Sequence, residues 1–171
     1  MKPKTAGRVG SDSCPTGYDT PQNALNAGLV TGARILTLKG ECAVDDLRVA
    51  DRLLTRSGAV PITRIDVVSL IIPTVYIIAG SLGHSRPDRD ALLMADQTVL
   101  LRDWRAPALF GQPVALVRAS ALVDGEFIRD LGQQVVTVHR IFCATPQIFY
   151  ADGLELGTAD ASPLDLMSNA A

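Results

Sequence analysis

Aromatic residues make up only 5% of this 171-residue chain, so any core must be built from Val, Leu, Ile and Ala. The chain also lacks an excess of either charge. Sixteen basic residues face eighteen acidic ones, net −2, mixed along the sequence. That balance excludes the basic stripe with which nucleic-acid binders neutralise phosphates. Cysteines are few and odd in number (Cys14, Cys42, Cys143), form no CxxC, and complete no metal-ligand pattern with His84 and His139. Neither a disulfide framework nor a metal is expected, and a reducing compartment is the default. The first twenty residues contain no apolar h-region, so no signal peptide is read there. The expected location is cytoplasmic, or peripheral on a larger complex. "GSLGHS" (80–85) lacks the strand-turn-helix setting and the Lys of a phosphate loop, and no cofactor is expected.

Long apolar helical runs are missing as well. The most apolar stretch, "IDVVSLIIPTVYIIAGSL" (65–82), carries Asp66 and Pro73 and is rich in β-branched residues. It does not suit a transmembrane segment and predicts two buried strands meeting at the proline. Short apolar runs recur elsewhere, at 33–38, 42–58, 60–68, 74–80, 91–101, 113–122, 134–144 and 147–153, mostly separated by Gly, Pro or Asp. Such spacing predicts an all-β barrel or sandwich-like fold with little helix, the best helix candidate being residues 117–122. A duplicated hairpin pattern is compatible with it. Residues 1–27 read as an extended polar arm without a core of its own, 28–157 as the β domain, and 158–171 as a polar tail.

The order of these pieces resembles the Hint (hedgehog/intein) family, in particular bacterial stand-alone Hint-type domains. Four blocks carry the resemblance: "GARILTLKGECAVDDLRVADRLLTRSG", "AGSLGHSRPDRDALLMADQTVLL", "ALFGQPVALVRASALVDGEFI" and "VVTVHRIFCATPQIFYADGLELGT". They stand in the family's order from about residue 28 to residue 157. In the first block Ala50 occupies a position where the family favours Gly. The resemblance implies a flattened all-β horseshoe with a pseudo-two-fold axis.

The resemblance also implies a reaction. A Cys or Ser opening the domain attacks the preceding carbonyl and converts an amide to a (thio)ester, helped by a His of the second block. A Ser or Thr three positions before that His helps to fix the amide. Carried over, the family's "CFTPGTRI" falls on "GLVTGARI" and its "SPDH" on "MADQ". The nucleophile position is then Gly28, the helper position Met94 and the His position Gln97. Gly has no side chain to attack with, and Gln cannot act as a general acid near neutrality. A family His of the fourth block falls within a residue of His139, and a second falls on Pro146. The reading is therefore a non-catalytic Hint-type domain, reused as a protein-interaction or structural subunit, with the arm 1–27 part of the contact with a protein partner.

The alternative is residual self-processing through a relocated nucleophile. Thr31 lies three residues beyond Gly28, but a turn Thr usually serves local hydrogen bonding. Cys143 follows His139 by four positions, which on a strand puts them on one face, although a buried Cys commonly packs as a small hydrophobe. Cys42 reads the same way. Asp45 and Asp51 are expected to cap turns or face water, and His84 with the alternating charges Arg86, Asp88, Arg89 and Asp90 to form a solvated loop. Asn169 lacks the flanking His and nucleophile that intein cyclisation uses.

Overall fold

The computed structural model describes residues 27–159. The arm up to residue 26, the tail from 160, Cys14 and Asn169 lie outside the described residues. Among the described residues there are eleven antiparallel strands, one short α-helix and two 3₁₀ turns. The expectation of an all-β fold with little helix holds.

Two hairpins open it and repeat one device. Strand β2 (Arg34–Thr37) turns into β3 (Gly40–Ala43), and β4 (Arg52–Thr55) turns into β5 (Gly58–Ile77). In each the sequence is Thr-x-x-Gly. Thr37 Oγ1 donates to Gly40 O (2.8 Å) and accepts from Lys39 N (3.2 Å). Thr55 Oγ1 donates to Gly58 O (2.7 Å) and accepts from Ser57 N (3.1 Å). Gly40 and Gly58 both have φ near +107°, which only glycine adopts without strain.

Strand β5 then runs unbroken for twenty residues and pairs with β9 (Ile128–Cys143) over most of its length. This corrects the expectation of two buried strands meeting at Pro73. Pro73 O accepts from Ala95 N, outside the β5–β9 ladder. Because a strand residue's N and C=O point to one side, the missing N–H also faces away from β9 and removes no rung of that ladder. Only the half beyond the proline is buried, at Thr74, Val75 and Ile77; before it Val67, Ile71 and the facing Val135 are 57%, 66% and 78% exposed. Register places Val67 opposite His139, Ser69 opposite Thr137 and Ile71 opposite Val135 on one face, where Ser69 Oγ and Thr137 Oγ1 hydrogen-bond at 2.8 Å. The other face packs Ile72, Val136 and Val138 against Val30 and Met94.

The remaining strands close around this ribbon. Strand β1 (Leu29–Val30) lies between β9 and β6 (Ala91–Met94), and β6 also pairs β5, so four strands form a ring. The run 91–101 is two strands, not one: β6 ends at Met94, a turn follows, and β7 (Thr98–Leu101) begins, pairing with other strands than β6 does. The helix expected at 117–122 is half strand, β8 (Ala115–Arg118), and half 3₁₀ turn (Ala119–Leu122). The α-helix lies instead at α1 (Arg105–Phe110), with Pro107 in the first turn, where its missing N–H is harmless, and left-handed Gly111 ending it. Strands β10 (Ile148–Ala151) and β11 (Leu154–Gly157) complete the sheet through an Asp152-Gly153 turn with both φ positive, the geometry of a type I′ hairpin. One aliphatic core, centred on Leu29, Ile35, Leu53, Ile77, Leu93 and Leu156, joins the layers.

Candidate functional site

The structure brings Gly28 and Gln97 together, sixty-nine residues apart in sequence. Gly28, just ahead of β1, donates its amide to Gln97 Oε1 at 2.9 Å. Gln97 sits in the β6–β7 turn and is fully buried. Its Nε2 donates to Thr98 O and Gly157 O, each at 3.0 Å, which fixes the oxygen toward Gly28. Every side-chain polar atom is therefore used, tying β1, β7 and β11. The oxygen accepts the Gly28 N–H; it has no proton to give to that nitrogen.

No side chain fits at Gly28. A Cβ built there would lie 2.3 Å from Val138 Cγ1 and 3.3 Å from both Arg140 Cγ and His139 O. Val138 is fully buried and stiff at χ1, so it cannot swing aside. The cleft lined by Gly28, His139, Gly157 and Ala159 leaves no volume for a water-sized molecule. Met94 lies in the apolar cluster of Val30, Val136 and Val138.

One residue beyond β1 a second group converges. Thr31 Oγ1 is 3.0 Å from His139 Nε2, and Asp45 Oδ1 is 3.3 Å from the same nitrogen. Asp45, in a 3₁₀ turn (Val44–Asp46), also accepts the amide of Gly32 at 2.9 Å. The Gly32 amide first, then the Thr31 hydroxyl and His139, hold its carboxyl below the usual range against a smaller opposing effect of burial. With Asp45 ionised, the consistent arrangement has Nε2–H donating and the Thr31 hydroxyl donating to Asp45. Threonine and carboxylate share one ring nitrogen, unlike a nucleophile-base-acid relay, where they occupy opposite ones.

His139 and Cys143 are not brought together. Four strand residues separate their Cα atoms by about 13 Å, and Cys143 packs in the core, where burial pushes its thiol up to about 11. Burial first, then Asp51 and Asp46, also raises the Cys42 thiol. Neither is an activated thiolate. Asp51 caps a turn, accepting from Arg48 N (2.9 Å) and Lys39 Nζ (2.8 Å). Ala50 beside it has φ +75°, the left-handed region, which accounts for a Gly preference there.

The loop after β5 is solvated as its composition implies: His84, Arg86, Asp88, Arg89 and Asp90 are all exposed, and their hydrogen bonds lie at the surface. Asp90 accepts from Tyr76 Oη and Ala79 N, and Arg89 reaches Glu41 and Asp88. His84 is exposed, with Gly83, His84 and Ser85 all at positive φ. Sequence reasoning missed two features entirely: the approach of Asp45 to His139, and a buried Glu155 that gathers Arg56, Arg86 and Arg102. Only the i, i+2 run Leu154-Glu155-Leu156 within a strand hinted at the second. Among the described residues no His, Cys, Asp and Glu side chains group as a metal site, and no helix is long and apolar enough to cross a membrane.

Comparison with known proteins agrees with this geometry. The Hint domain family matches residues 27–160, well over half of the chain. No curated protein matches the sequence. Among solved structures, the MchDnaB-1 intein is similar at 15% identity and TM-score 0.52, covering 75% of this chain and 98% of its own. A DnaB intein from Synechocystis sp. PCC 6803 gives 12% identity and TM-score 0.51, with 77% and 99% covered. A bacterial intein-like domain from Clostridium thermocellum gives 13% and 0.51, with 77% and 98% covered. At these identities the likeness concerns the fold alone. The matching residues and the fold together place the chain in the Hint domain family.

Proposed function

We propose that this chain is a Hint-type domain without acyl-shift chemistry, working as a protein-interaction or structural accessory subunit of a larger assembly. The observation that carries the reading is the closed position at Gly28: there is no nucleophile, Val138 fills the place where one would stand, and Gln97 accepts the adjacent N–H. Losing a nucleophile and a general acid each lowers a rate by orders of magnitude. Here the surrounding packing has also adapted to their absence, which favours long disuse over a recent lesion.

The exposed face of the β5–β9 ribbon supports a binding role. Val67, Ile71 and Val135 form an apolar stripe, and residues 67–73 and 131–138 carry no Asp, Glu, Lys or Arg. A partner covering that stripe would remove apolar area from water. The test joins intact-mass spectrometry of the full chain to co-purification from its own cells. A single unprocessed mass, resistant to hydroxylamine, is expected, together with a stoichiometric protein partner lost in Ile71→Asp or Val135→Asp. A fragment cut next to residue 28 would refute the non-catalytic reading. An intact chain without any partner would refute the accessory role.

The second reading, residual self-processing, rests on the 3.0 Å approach of Thr31 to His139. It requires His139 to accept the Thr31 proton while Asp45 crowds the same nitrogen, so the contact reads better as a clamp on the 30–33 turn. A hydroxylamine-sensitive linkage abolished by Thr31→Ala would favour it.

A further inference from the structure

We propose that the cavity between the loop following β5 and the end of β7 is an oxyanion site, built for phosphate, sulfate or the phosphate end of a small ester. The cavity holds about 250 Å³ and is lined by His84, Arg86, Arg102, Asp103, Leu154 and Glu155 among others. That is space for about eight waters at liquid density. It lies apart from the Gly28–Gln97 centre and shares none of its residues.

The charge distribution carries the argument. Each acid in the wall already has its own arginine. Asp103 takes both an amide and the Nη1 of Arg105, which is further held by Ser81 O. Glu155, only 3% exposed, is met by Arg56 Nη1 at 3.2 Å. Arg102 and Arg86 are additional. Arg102 Nε lies 3.1 Å from Glu155 Oε2 and Arg86 Nη1 3.7 Å from it, and neither contact is an aligned hydrogen bond, because Oε2 has none. Among the described residues these two guanidiniums have no other acidic partner. One buried carboxylate therefore faces three arginines. With Arg56 and Arg105 behind the wall neutralising Glu155 and Asp103, the cluster of four arginines and two acids carries a surplus of two positive charges, those of Arg86 and Arg102.

Both surplus side chains are about 40–45% exposed, so their forks reach the cavity while their charge stays anchored on Glu155. Two guanidiniums fixed at one mouth suit a tetrahedral dianion, which can accept bidentate bonds from each. His84, on the rim, adds a ring nitrogen. A monocarboxylate would satisfy only one fork, and a cation would be repelled.

The test is an amide-resolved NMR titration of the full chain in low chloride, with inorganic phosphate, sulfate and glycerol phosphate as probes. Saturable shifts confined to residues 81–86, 100–105 and 153–156 are expected. Arg86→Gln and Arg102→Gln should each weaken binding about tenfold or more. Arg86→Gln sits on an exposed loop and tests the site even if Arg102→Gln impairs folding. Arg118→Gln, removing the same charge on another face, should leave affinity unchanged. Equal affinity for phosphate and its ester would identify the free anion as ligand; tighter binding of the ester, a phosphorylated molecule. Linear, non-saturable shifts, or equal weakening by Arg118→Gln, would overturn the proposal.

Discussion

The amide of Gly28 and the side-chain oxygen of Gln97 lie 2.9 Å apart, and Val138 Cγ1 stands where a Cβ on residue 28 would go. The three residues form one packed unit. A side chain placed at position 28 must displace Val138, and a histidine placed at 97 must forgo two carbonyl partners.

Gly28→Ala is therefore expected to destabilise the domain by about 1–3 kcal/mol through overpacking. Adding Val138→Ala to it should recover part of that loss, although Val138→Ala alone leaves a cavity and destabilises too. Urea unfolding of the two single variants and the double variant measures the coupling. Strict additivity would mean that the two side chains do not compete for one space.

Gln97→Leu should be costly. It keeps the volume but leaves the Gly28 amide and the Thr98 and Gly157 carbonyls without their side-chain partners. Buried groups stranded in this way cost about 1–3 kcal/mol each, so a total of several kcal/mol is expected. A melting temperature unchanged from the parent would show that the amide network contributes nothing net.

Ala50→Gly should stabilise. The residue is held at φ +75°, a region that disfavours a Cβ, and glycine relieves about 1 kcal/mol there. Thermal denaturation measures it; a lower melting temperature would show that glycine's unfolded-state entropy outweighs the strain.

On the acid side, two groups of carboxylates pull in opposite directions. Asp45, held low first by the Gly32 amide, and Asp124, where three amides outweigh burial, stabilise the fold above their unfolded pKa. That stability disappears as pH falls through their depressed native values, below about pH 4. Asp152 is the reverse. Burial raises its pKa despite the Arg34 amide and Arg89, so it favours the fold when protonated and loses that contribution as pH rises. Asp152→Asn keeps the acceptor for Arg34 N and makes the Asn-Gly pair that type I′ turns favour. It should gain about 0.5–1 kcal/mol at pH 7 and less near pH 3. A gain growing toward low pH in urea unfolding would contradict the assignment.

Much of this architecture was legible in the sequence. The short apolar runs punctuated by Gly, Pro and Asp mark an all-β chain, and block order points to Gly28 and Gln97, which the fold brings together. What escaped was non-local. Whether Pro73 ends a strand depends on which edge its nitrogen faces. Helix α1 has six residues, too few for a period to show. Thr31 and His139 are brought together by β1–β9 pairing across 108 residues, and Glu155 draws its arginines from three separate segments. No window along the chain contains such meetings.

The long β5–β9 ribbon has a consequence for how the protein is made. Strand β5 is complete at Ile77, but β9 does not begin until Ile128. At translation speeds of roughly 5–20 residues per second, the uncharged segment 67–73 waits several seconds on the ribosome for its mate. During that interval it is a bare, β-branched edge of the kind that nucleates aggregation. Chains stalled or cleaved before residue 128 should be insoluble clients of the chaperone machinery, and the late arrival of β9 should set the pace of productive folding.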